Sequence, residues 1–314
     1  MATLTAGFIG LGNLGTILCT SLVQKSGLSV TVYDLDPQAV QRLVALGAKA
    51  AKSPKEVAAA SDVVVSLVRD QKQNNQVIFG KDGLWEGTKK GDITCISSTV
   101  GPFYVRDLYA KGKEKGIKVI DAAVTKITTD PQGRIANYVG WNTLMVGGDD
   151  EDVKRCWPIL ESMAKYVVHL GGPGAGSAMK LVNNEAATVF SALTRQCMIE
   201  WLNLGLKAGL SLEKMIEVWG DSTSVRMLDN LGLKPWFTRQ EIIDIMKAGV
   251  PRTPTTPAQI PPQGLDIENL GVMYRRLALE MADKVNAVMP LTSLSDELRG
   301  SELTTYDAFS AAMT

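Results

Sequence analysis

A glycine-rich segment near the amino terminus is the first part of this sequence that could do chemistry. It consists of Gly10-Leu11-Gly12-Asn13-Leu14-Gly15, follows a run of apolar residues and precedes a stretch of helical period. In a strand, turn and helix of this kind the first glycine permits the tight turn and the second lets a pyrophosphate approach the backbone, while the third lets the helix pack on the strand. The helix amino terminus adds N–H donors and the positive end of its dipole. The spacing predicts a dinucleotide site, with a glycine turn in another α/β domain as the alternative.

An acidic residue at the predicted end of the next strand bears on the choice of nicotinamide cofactor. Asp34 stands 19 positions after Gly15, where the dinucleotide fingerprint has a carboxylate that binds the adenine ribose. A carboxylate would repel a 2′-phosphate, and residues 35–37 include no Lys or Arg to neutralise one. The sequence therefore favours NAD over NADP. The alternative is that Asp34 caps the helix that begins at Pro37, although Asp36 is better placed for that role.

A lysine and an asparagine near the middle of the chain could act on a substrate hydroxyl. Lys180 and Asn184 are four residues apart in a predicted helix, so they share one face. A lysine beside a bound carbonyl can donate a proton to the developing alkoxide, or accept the hydroxyl proton in the reverse direction. Its ordinary pKa of about 10.4 would have to be lowered by desolvation or by neighbouring positive charge. A solvated lysine on an amphipathic helix is the alternative.

The composition argues against several other kinds of chemistry. The 314 residues include one histidine, His169, and four scattered cysteines, so a hydrolase triad and a zinc site both lack candidate ligands or bases. We interpret His169 as structural, and Cys95 and Cys197 as small core residues. The 33 basic and 33 acidic side chains cancel, which argues against a nucleic-acid partner. Unpaired cysteines and the absence of a leader predict a cytoplasmic protein, and the glycines that interrupt its apolar start argue against a membrane segment.

The elements that must position these residues follow from hydrophobic periodicity. Short β-rich runs alternate with helical stretches through the first half of the chain, as in βαβ units. Strands are predicted at 6–10, 30–34, 63–67, 93–97, 118–121, 143–146 and 166–169, and helices most clearly at 37–46, 101–115, 150–164 and 176–208. The predicted fold class is α/β: a Rossmann domain with a doubly wound parallel sheet at residues 1–172, joined by a long helix to an all-α domain at 173–314. Five prolines between Gly249 and Gly264 predict an extended loop or flap.

Four segments together resemble the β-hydroxyacid dehydrogenases, the group that includes 3-hydroxyisobutyrate dehydrogenase, tartronate semialdehyde reductase and short relatives of 6-phosphogluconate dehydrogenase. They are residues 7–15, Ile96-Ser97-Ser98-Thr99, Asp121-Ala122-Ala123-Val124 with the strand at 140–148, and residues 174–184. The resemblance implies hydride transfer between NAD and a small 3-hydroxy acid or semialdehyde, with Lys180 as acid–base residue and Asn184 as its helper. It implies a homodimer or homotetramer. It also implies that the cofactor contacts residues 10–15, Asp34, Leu67, Val68, Thr99 and Arg275, and the substrate Ser97, Thr125 and Lys126.

The sequence departs from the family around the substrate. Thr125-Lys126-Ile127 stands where the family has Ser-Gly-Gly, whose backbone N–H groups hold the substrate carboxylate. Lys126 could offer its ammonium to an anionic group, could accompany a relocated loop, or could point into solvent. Arg275-Arg276 stands where the family has Lys-Asp, so Arg275 can keep the cationic contact to the cofactor while Arg276 removes a carboxylate.

These departures leave two further hypotheses. One is a reductase of another acceptor, such as a sulfonated aldehyde or an imine. The other is a non-catalytic cofactor-binding module that uses the fold as an interaction surface. Similar imine reductases and non-catalytic relatives carry a different residue at the lysine position, so Lys180 argues against both of them.

Overall fold

The computed structural model describes residues 4–126, 142–186, 188–189, 210–221, 276–277, 279–281 and 284. The chain divides into two compact units, Met1–Val182 and Asn183–Thr314. The domain boundary that the sequence predicts after residue 172 stays a prediction, and the first unit ends ten residues beyond it. The proline-rich stretch at 249–264, Cys197 and the predicted helix beyond residue 189 lie outside the described residues.

The first unit contains an eight-stranded sheet in the order β3-β2-β1-β4-β5-β6-β7-β8. Its strands are β1 (Thr5–Ile9), β2 (Ser29–Tyr33), β3 (Lys49–Ala50), β4 (Val63–Ser66), β5 (Ile93–Ile96), β6 (Lys118–Lys126), β7 (Asn142–Gly147) and β8 (Tyr166–His169). Strands β1 to β6 are parallel, β7 is antiparallel to β6, and β8 is parallel to β7. The order of the first six is that of the Rossmann dinucleotide fold, which confirms the predicted α/β class and Rossmann domain. The sheet is mostly rather than wholly parallel, because β7 pairs directly with the preceding strand β6 in the antiparallel sense. Most of the predicted all-α domain lies outside the described residues.

Helices cover both faces of this sheet. Those on the sheet are α1 (Asn13–Lys25), α2 (Pro37–Val44), α3 (Pro54–Ala59), α4 (Gln71–Phe79), α5 (Leu84–Gly87), α6 (Pro102–Lys115) and α7 (Asp150–Met163). Farther along the chain, the described residues also form α8 at 175–186 and 188–189 and, in the second unit, α9 (Leu212–Asp221). One apolar core lies under α1, α2 and α7 and includes Leu18, Leu43 and Ile159. The other lies under α3 to α6 and includes Ile78 and Leu108. None of the helices in the described part of the chain has the length and hydropathy to cross a lipid bilayer.

Local sequence accounts for most of these bounds. Strands β4 and β5 are buried at every position, as expected for parallel strands covered on both faces. Strand β3 was not predicted because its two residues are exposed and have no apolar pattern. Strand β6 runs five residues past its predicted end because it pairs with β7 as far as Lys126. It therefore extends to the segment predicted to hold the substrate.

Candidate cofactor and active site

The carboxyl ends of β1, β4 and β5 meet where the strand order reverses. Strand β1 lies between β2 and β4, so consecutive crossovers leave it in opposite directions and open a crevice at this edge. Ligands of open α/β sheets bind in such a crevice. Gly10 follows β1, Leu67 and Val68 follow β4, and Ser97 follows β5. The fold thus places these predicted site residues at one edge of one sheet.

The three fingerprint glycines differ in what surrounds them. Gly10 has φ +95°, and a Cβ there would overlap the carbonyl oxygen of Leu67. A Cβ on Gly15 would overlap the carbonyl oxygen of Gly10, so this glycine lets α1 pack against the turn. Gly12 has an ordinary φ of −63°, and its Cβ would meet no atom of the described residues within 4 Å. Packing therefore requires Gly10 and Gly15, whereas the space in front of Gly12 is open.

That open space lies at the amino terminus of α1. Within the described part of the chain no side chain caps this helix, and its first turn contains no acidic residue. The N–H groups of a helix start and the positive end of its dipole favour a phosphate group. An uncapped helix start behind an open glycine fits a dinucleotide pyrophosphate without displacement of any described side chain.

Asp34 binds two backbone N–H groups, one in the glycine turn after β1 and one after β2. Its Oδ2 accepts from the Leu11 N–H at 2.6 Å, and its Oδ1 accepts from the Asp36 N–H at 2.8 Å. Each oxygen keeps a second lone pair for a ribose hydroxyl. Asp36, rather than Asp34, caps α2 by accepting from the Gln38 N–H. The guanidinium of Arg42 lies 3.9 Å from the carboxylate of Asp36, which offsets the positive charge of Arg42. The surroundings of Asp34 therefore suit a ribose diol better than a 2′-phosphate.

A pair of serines ties the ends of β4 and β5 together. The Ser98 hydroxyl accepts from the Val68 N–H at 2.8 Å, and the Ser97 N–H donates to the Ser66 carbonyl at 2.8 Å. The Ser97 side chain is buried, and its hydroxyl has no hydrogen-bond partner among the described residues. Thr99 is half-buried. Burial of a hydroxyl without a hydrogen-bond partner costs free energy. The Ser97 hydroxyl is therefore a candidate contact for a ligand in the crevice.

Lys180 lies on α8, the start of which is hydrogen-bonded to Asp121 in strand β6. The side chain is half-buried, and this desolvation lowers the pKa of its ammonium to about 8. The sequence-based requirement for a lowered pKa is therefore met, and the cause is burial. Asn184 follows one turn later on the same helix and is buried.

A buried carboxylate that sequence reasoning did not select stands next to the start of α8. Asp121, on β6, accepts from the Gly174 N–H at 2.8 Å and from the Ser177 N–H at 2.5 Å. Burial raises its pKa to about 6, and the hydrogen bonds that it accepts act in the opposite direction. The available signal was a single acidic residue inside the apolar run at 119–124, where an unpaired charge is rare.

The remaining predicted residues fall into two groups. Thr125 and Lys126 end strand β6 in register with Thr143 and Asn142, which places their backbone at the rim of the sheet. Ile127 and Arg275 lie outside the described residues, so the contact predicted for Arg275 stays a prediction.

The single histidine has structural contacts. The Nε2 atom of His169 lies 3.0 Å from the carbonyl oxygens of both Gly148 and Gly171, and its Nδ1 lies 3.7 Å from a carboxylate oxygen of Asp150. These contacts join the end of β8 to the turn after β7. They agree with the interpretation of His169 as structural, although the sequence had suggested no carboxylate partner.

Comparison with known proteins points to the same cofactor. The family model described as the NAD binding domain of 6-phosphogluconate dehydrogenase matches residues 5–171, more than half of the chain. An NAD-dependent L-serine dehydrogenase of Pseudomonas aeruginosa is 33% identical over 67% of this chain and 67% of its own length. A 3-sulfolactaldehyde reductase of Escherichia coli is 31% identical over 63% of this chain and 64%, just under two thirds, of its own length. The crystal structure of a 3-hydroxyisobutyrate dehydrogenase from Salmonella typhimurium has a TM-score of 0.66 and 25% identity, and covers 93% of this chain and 91% of that one.

Proposed function

The chain belongs to the β-hydroxyacid dehydrogenase family, and on that basis we propose that it interconverts a small 3-hydroxy acid and its semialdehyde with Lys180 as the acid–base residue. It is an NAD-dependent oxidoreductase that acts on a hydroxyl group. When bound, NAD supplies the acceptor for the hydride that leaves the hydroxyl-bearing carbon. The half-buried Lys180, with a pKa of about 8, is the observation that carries the proposal.

The crevice would hold the cofactor through three sets of groups. The start of α1 and the open space at Gly12 would receive the pyrophosphate, and Asp34 would accept from the adenine ribose. Leu67, Val68 and Thr99 would line the path toward the nicotinamide. The bond from Val68 to Ser98 keeps that lining in place.

Lys180 would move one proton in each direction of the reaction. As the hydride leaves the substrate carbon, the neutral amine accepts the hydroxyl proton, and in reduction the ammonium donates it back to the forming alkoxide. A pKa of about 8 keeps both protonation states populated near neutral pH, whereas an ordinary lysine would almost never be neutral there. Asn184, one turn away, would orient the substrate hydroxyl.

The substrate would bind between the cofactor and the rim of the sheet. The unpartnered Ser97 hydroxyl is a candidate donor to a substrate carboxylate, with Thr125 and Lys126 at the end of β6. A sulfonated aldehyde is a second candidate, favoured by the similarity to a 3-sulfolactaldehyde reductase and by the cationic residue at position 126. An imine is disfavoured because Lys180 stands where imine reductases carry another residue.

A substrate panel followed by NADH absorbance tests the proposal. L-serine, 3-hydroxyisobutyrate and other 3-hydroxy acids are oxidised with NAD, and semialdehydes, 3-sulfolactaldehyde and a cyclic imine are reduced with NADH. We expect turnover of at least one hydroxy acid or aldehyde, its loss in Lys180→Ala, and no reduction of the imine. Turnover of the imine alone would contradict the proposed substrate class.

The site of action and the assembly are further parts of the proposal. Cys19, Cys95 and Cys156 are free, buried thiols, which suits the reducing cytoplasm. Assembly as a homodimer or homotetramer rests on the family resemblance, and light scattering of the purified protein measures it.

A further inference from the structure

The helix that carries Lys180 begins at a residue without a side chain. The Gly174 carbonyl accepts the first helical bond of α8, from the Ala178 N–H at 2.9 Å, so Gly174 is the N-cap. A helix start is normally stabilised by the side chain of its N-cap residue, which accepts from the N–H two or three residues later. Gly174 has φ +85° and has no side-chain oxygen to offer.

The missing oxygens come from Asp121, which is 53 residues earlier and on another element. One carboxylate oxygen accepts from the N–H of the N-cap itself, Gly174, and the other accepts from Ser177, the third residue of the helix. In a capping box these two N–H groups are satisfied by two side chains of the helix start. Here one carboxylate on β6 satisfies both, which joins the start of α8 to the sheet.

Two further glycines allow the close approach that these bonds need. A Cβ on Gly147, in β7, would lie 2.5 Å from Asp121 Oδ1 and 2.7 Å from the Ala175 nitrogen. A Cβ on Gly176 would overlap the Met145 carbonyl oxygen and lie 3.0 Å from Asp121 Oδ2. Neither contact leaves room for a side chain, so the first turn of α8 packs closely against β6 and β7.

Burial of the Asp121 carboxylate costs more free energy than a helix cap at the protein surface would. Asp121 is fully buried and has no ion-pair partner among the described residues. Burial raises its pKa to about 6, which means that the folded protein holds the ionised form against a desolvation penalty. Residue 174 cannot supply the cap itself, because it has φ +85° and a Cβ there would lie 2.7 Å from the Pro102 carbonyl oxygen.

We propose that Asp121 is a positioning residue for the acid–base group, because its carboxylate fixes the first turn of α8 to β6 and thereby sets the position of Lys180, three residues after Ser177. The inference rests on the role of Lys180 in the proposed function. Residues three apart share a helix face, so a displaced first turn moves Lys180 with it. The same strand leads to Thr125, so β6 connects the acid–base helix with the substrate rim.

Asp121→Asn changes the interaction with little change of shape. The amide oxygen can accept one of the two N–H groups, but its NH₂ group then faces the other N–H, so one bond becomes a donor–donor contact. Ser177→Pro removes the donor from the opposite side, at a position in the first helical turn where proline is tolerated. Asp62→Asn is the matched control, because Asp62 accepts from the Thr5 N–H and hydroxyl at the opposite, amino-terminal edge of the sheet.

The direct readout is the reactivity of Lys180 as a function of pH. Amine labelling with acetic anhydride, followed by mass spectrometry of the Lys180 peptide, gives the midpoint of its titration without any substrate. The wild-type midpoint should lie near 8, and both site variants should move it up toward the ordinary value of 10.5, because a loosened first turn admits water. The midpoint in Asp62→Asn should stay at the wild-type value. The proposal is wrong if the midpoint stays near 8 in Asp121→Asn. It is also wrong if the midpoint moves down, which is the effect expected when a nearby negative charge is removed and the helix does not move.

Kinetics supply the second readout on the best substrate of the panel. The two site variants should lose about ten- to a hundred-fold in kcat, the cost of a misplaced acid–base group, while the Kd for NADH changes by less than about two-fold. Equal losses in kcat for Asp62→Asn would show that general destabilisation is responsible and would contradict the positioning role. A different result would contradict the proposed function alone. If Lys180→Ala keeps its kcat while Asp121→Asn still shifts the Lys180 titration, Asp121 positions α8 but Lys180 is not the acid–base residue.

Discussion

Gly12→Ala tests whether the open space at the start of α1 is a cofactor site. A Cβ at this position meets no atom of residues 4–126 or of the other described segments within 4 Å, and the backbone is extended, so we expect the fold to accommodate the methyl group. Alanine is a poorer N-cap residue than glycine, which destabilises the fold by about 0.5–1 kcal/mol. Alanine also restricts the unfolded chain, which stabilises the fold by about the same amount. The free energy of unfolding should therefore hardly change. The methyl group would instead occupy the place of the pyrophosphate. Loss of one charge-assisted N–H contact costs about 1.5–3 kcal/mol, which raises the Kd for NADH about ten- to a hundred-fold.

Gly15→Ala is the matched comparison for that experiment. Its Cβ would overlap the Gly10 carbonyl oxygen, so the substitution should lower the stability of the free protein by about 1–3 kcal/mol. Thermal unfolding without cofactor and fluorescence titration with NADH measure the two effects separately. The reasoning is refuted if Gly12→Ala binds NADH as tightly as the wild type, or if it unfolds as early as Gly15→Ala.

Three other predictions concern single side chains. Asp34→Ala should narrow the preference for NAD over NADP in paired Kd measurements, and tighter binding of NADP by the wild type would contradict the role of this carboxylate. The folded pKa of Asp121 is raised from 3.8 to about 6, so its contribution to stability is complete below about pH 4 and is lost by about pH 6. The unfolding free energy of the wild type relative to Asp121→Asn should therefore fall by about 3 kcal/mol between these pH values. A difference that stays flat or rises with pH in denaturant titrations would argue against the raised pKa. Burial raises the pKa of Cys19 and Cys95 to about 12, so a thiol reagent should label them only on unfolding, and rapid labelling of the native protein would contradict their burial.

Hydrophobic pattern and local motifs were sufficient to predict most strands of the sheet. Strands such as β4 and β5 are continuous apolar runs, and the helices between them are bounded by residues such as Pro37 and Gly116 whose chemistry is local. Strand β3 was missed because only two exposed residues pair there. The length of β6 was missed because it depends on β7, which lies beyond the substrate segment.

In the candidate site, too, local sequence predicts some features, while others depend on distant parts of the chain. The glycine turn and Asp34 could be predicted because their spacing within one βαβ unit determines their geometry. The lowered pKa of Lys180 could be required by the chemistry but not predicted, since it depends on burial by distant residues. The role of Asp121 was not visible at all, because its two partners are 53 and 56 positions away and are backbone N–H groups, which every residue except proline carries.

The central claim is that Lys180 transfers the hydroxyl proton in an enzyme that binds NAD independently of it. The kcat of Lys180→Ala on the best substrate of the panel, measured beside its Kd for NADH, tests this most directly, with the exposed Lys115→Ala at the far end of α6 as a control. We expect kcat to fall at least about a hundred-fold in Lys180→Ala alone, while the Kd for NADH stays within about two-fold of the wild type. A near-normal kcat in Lys180→Ala would contradict the central claim.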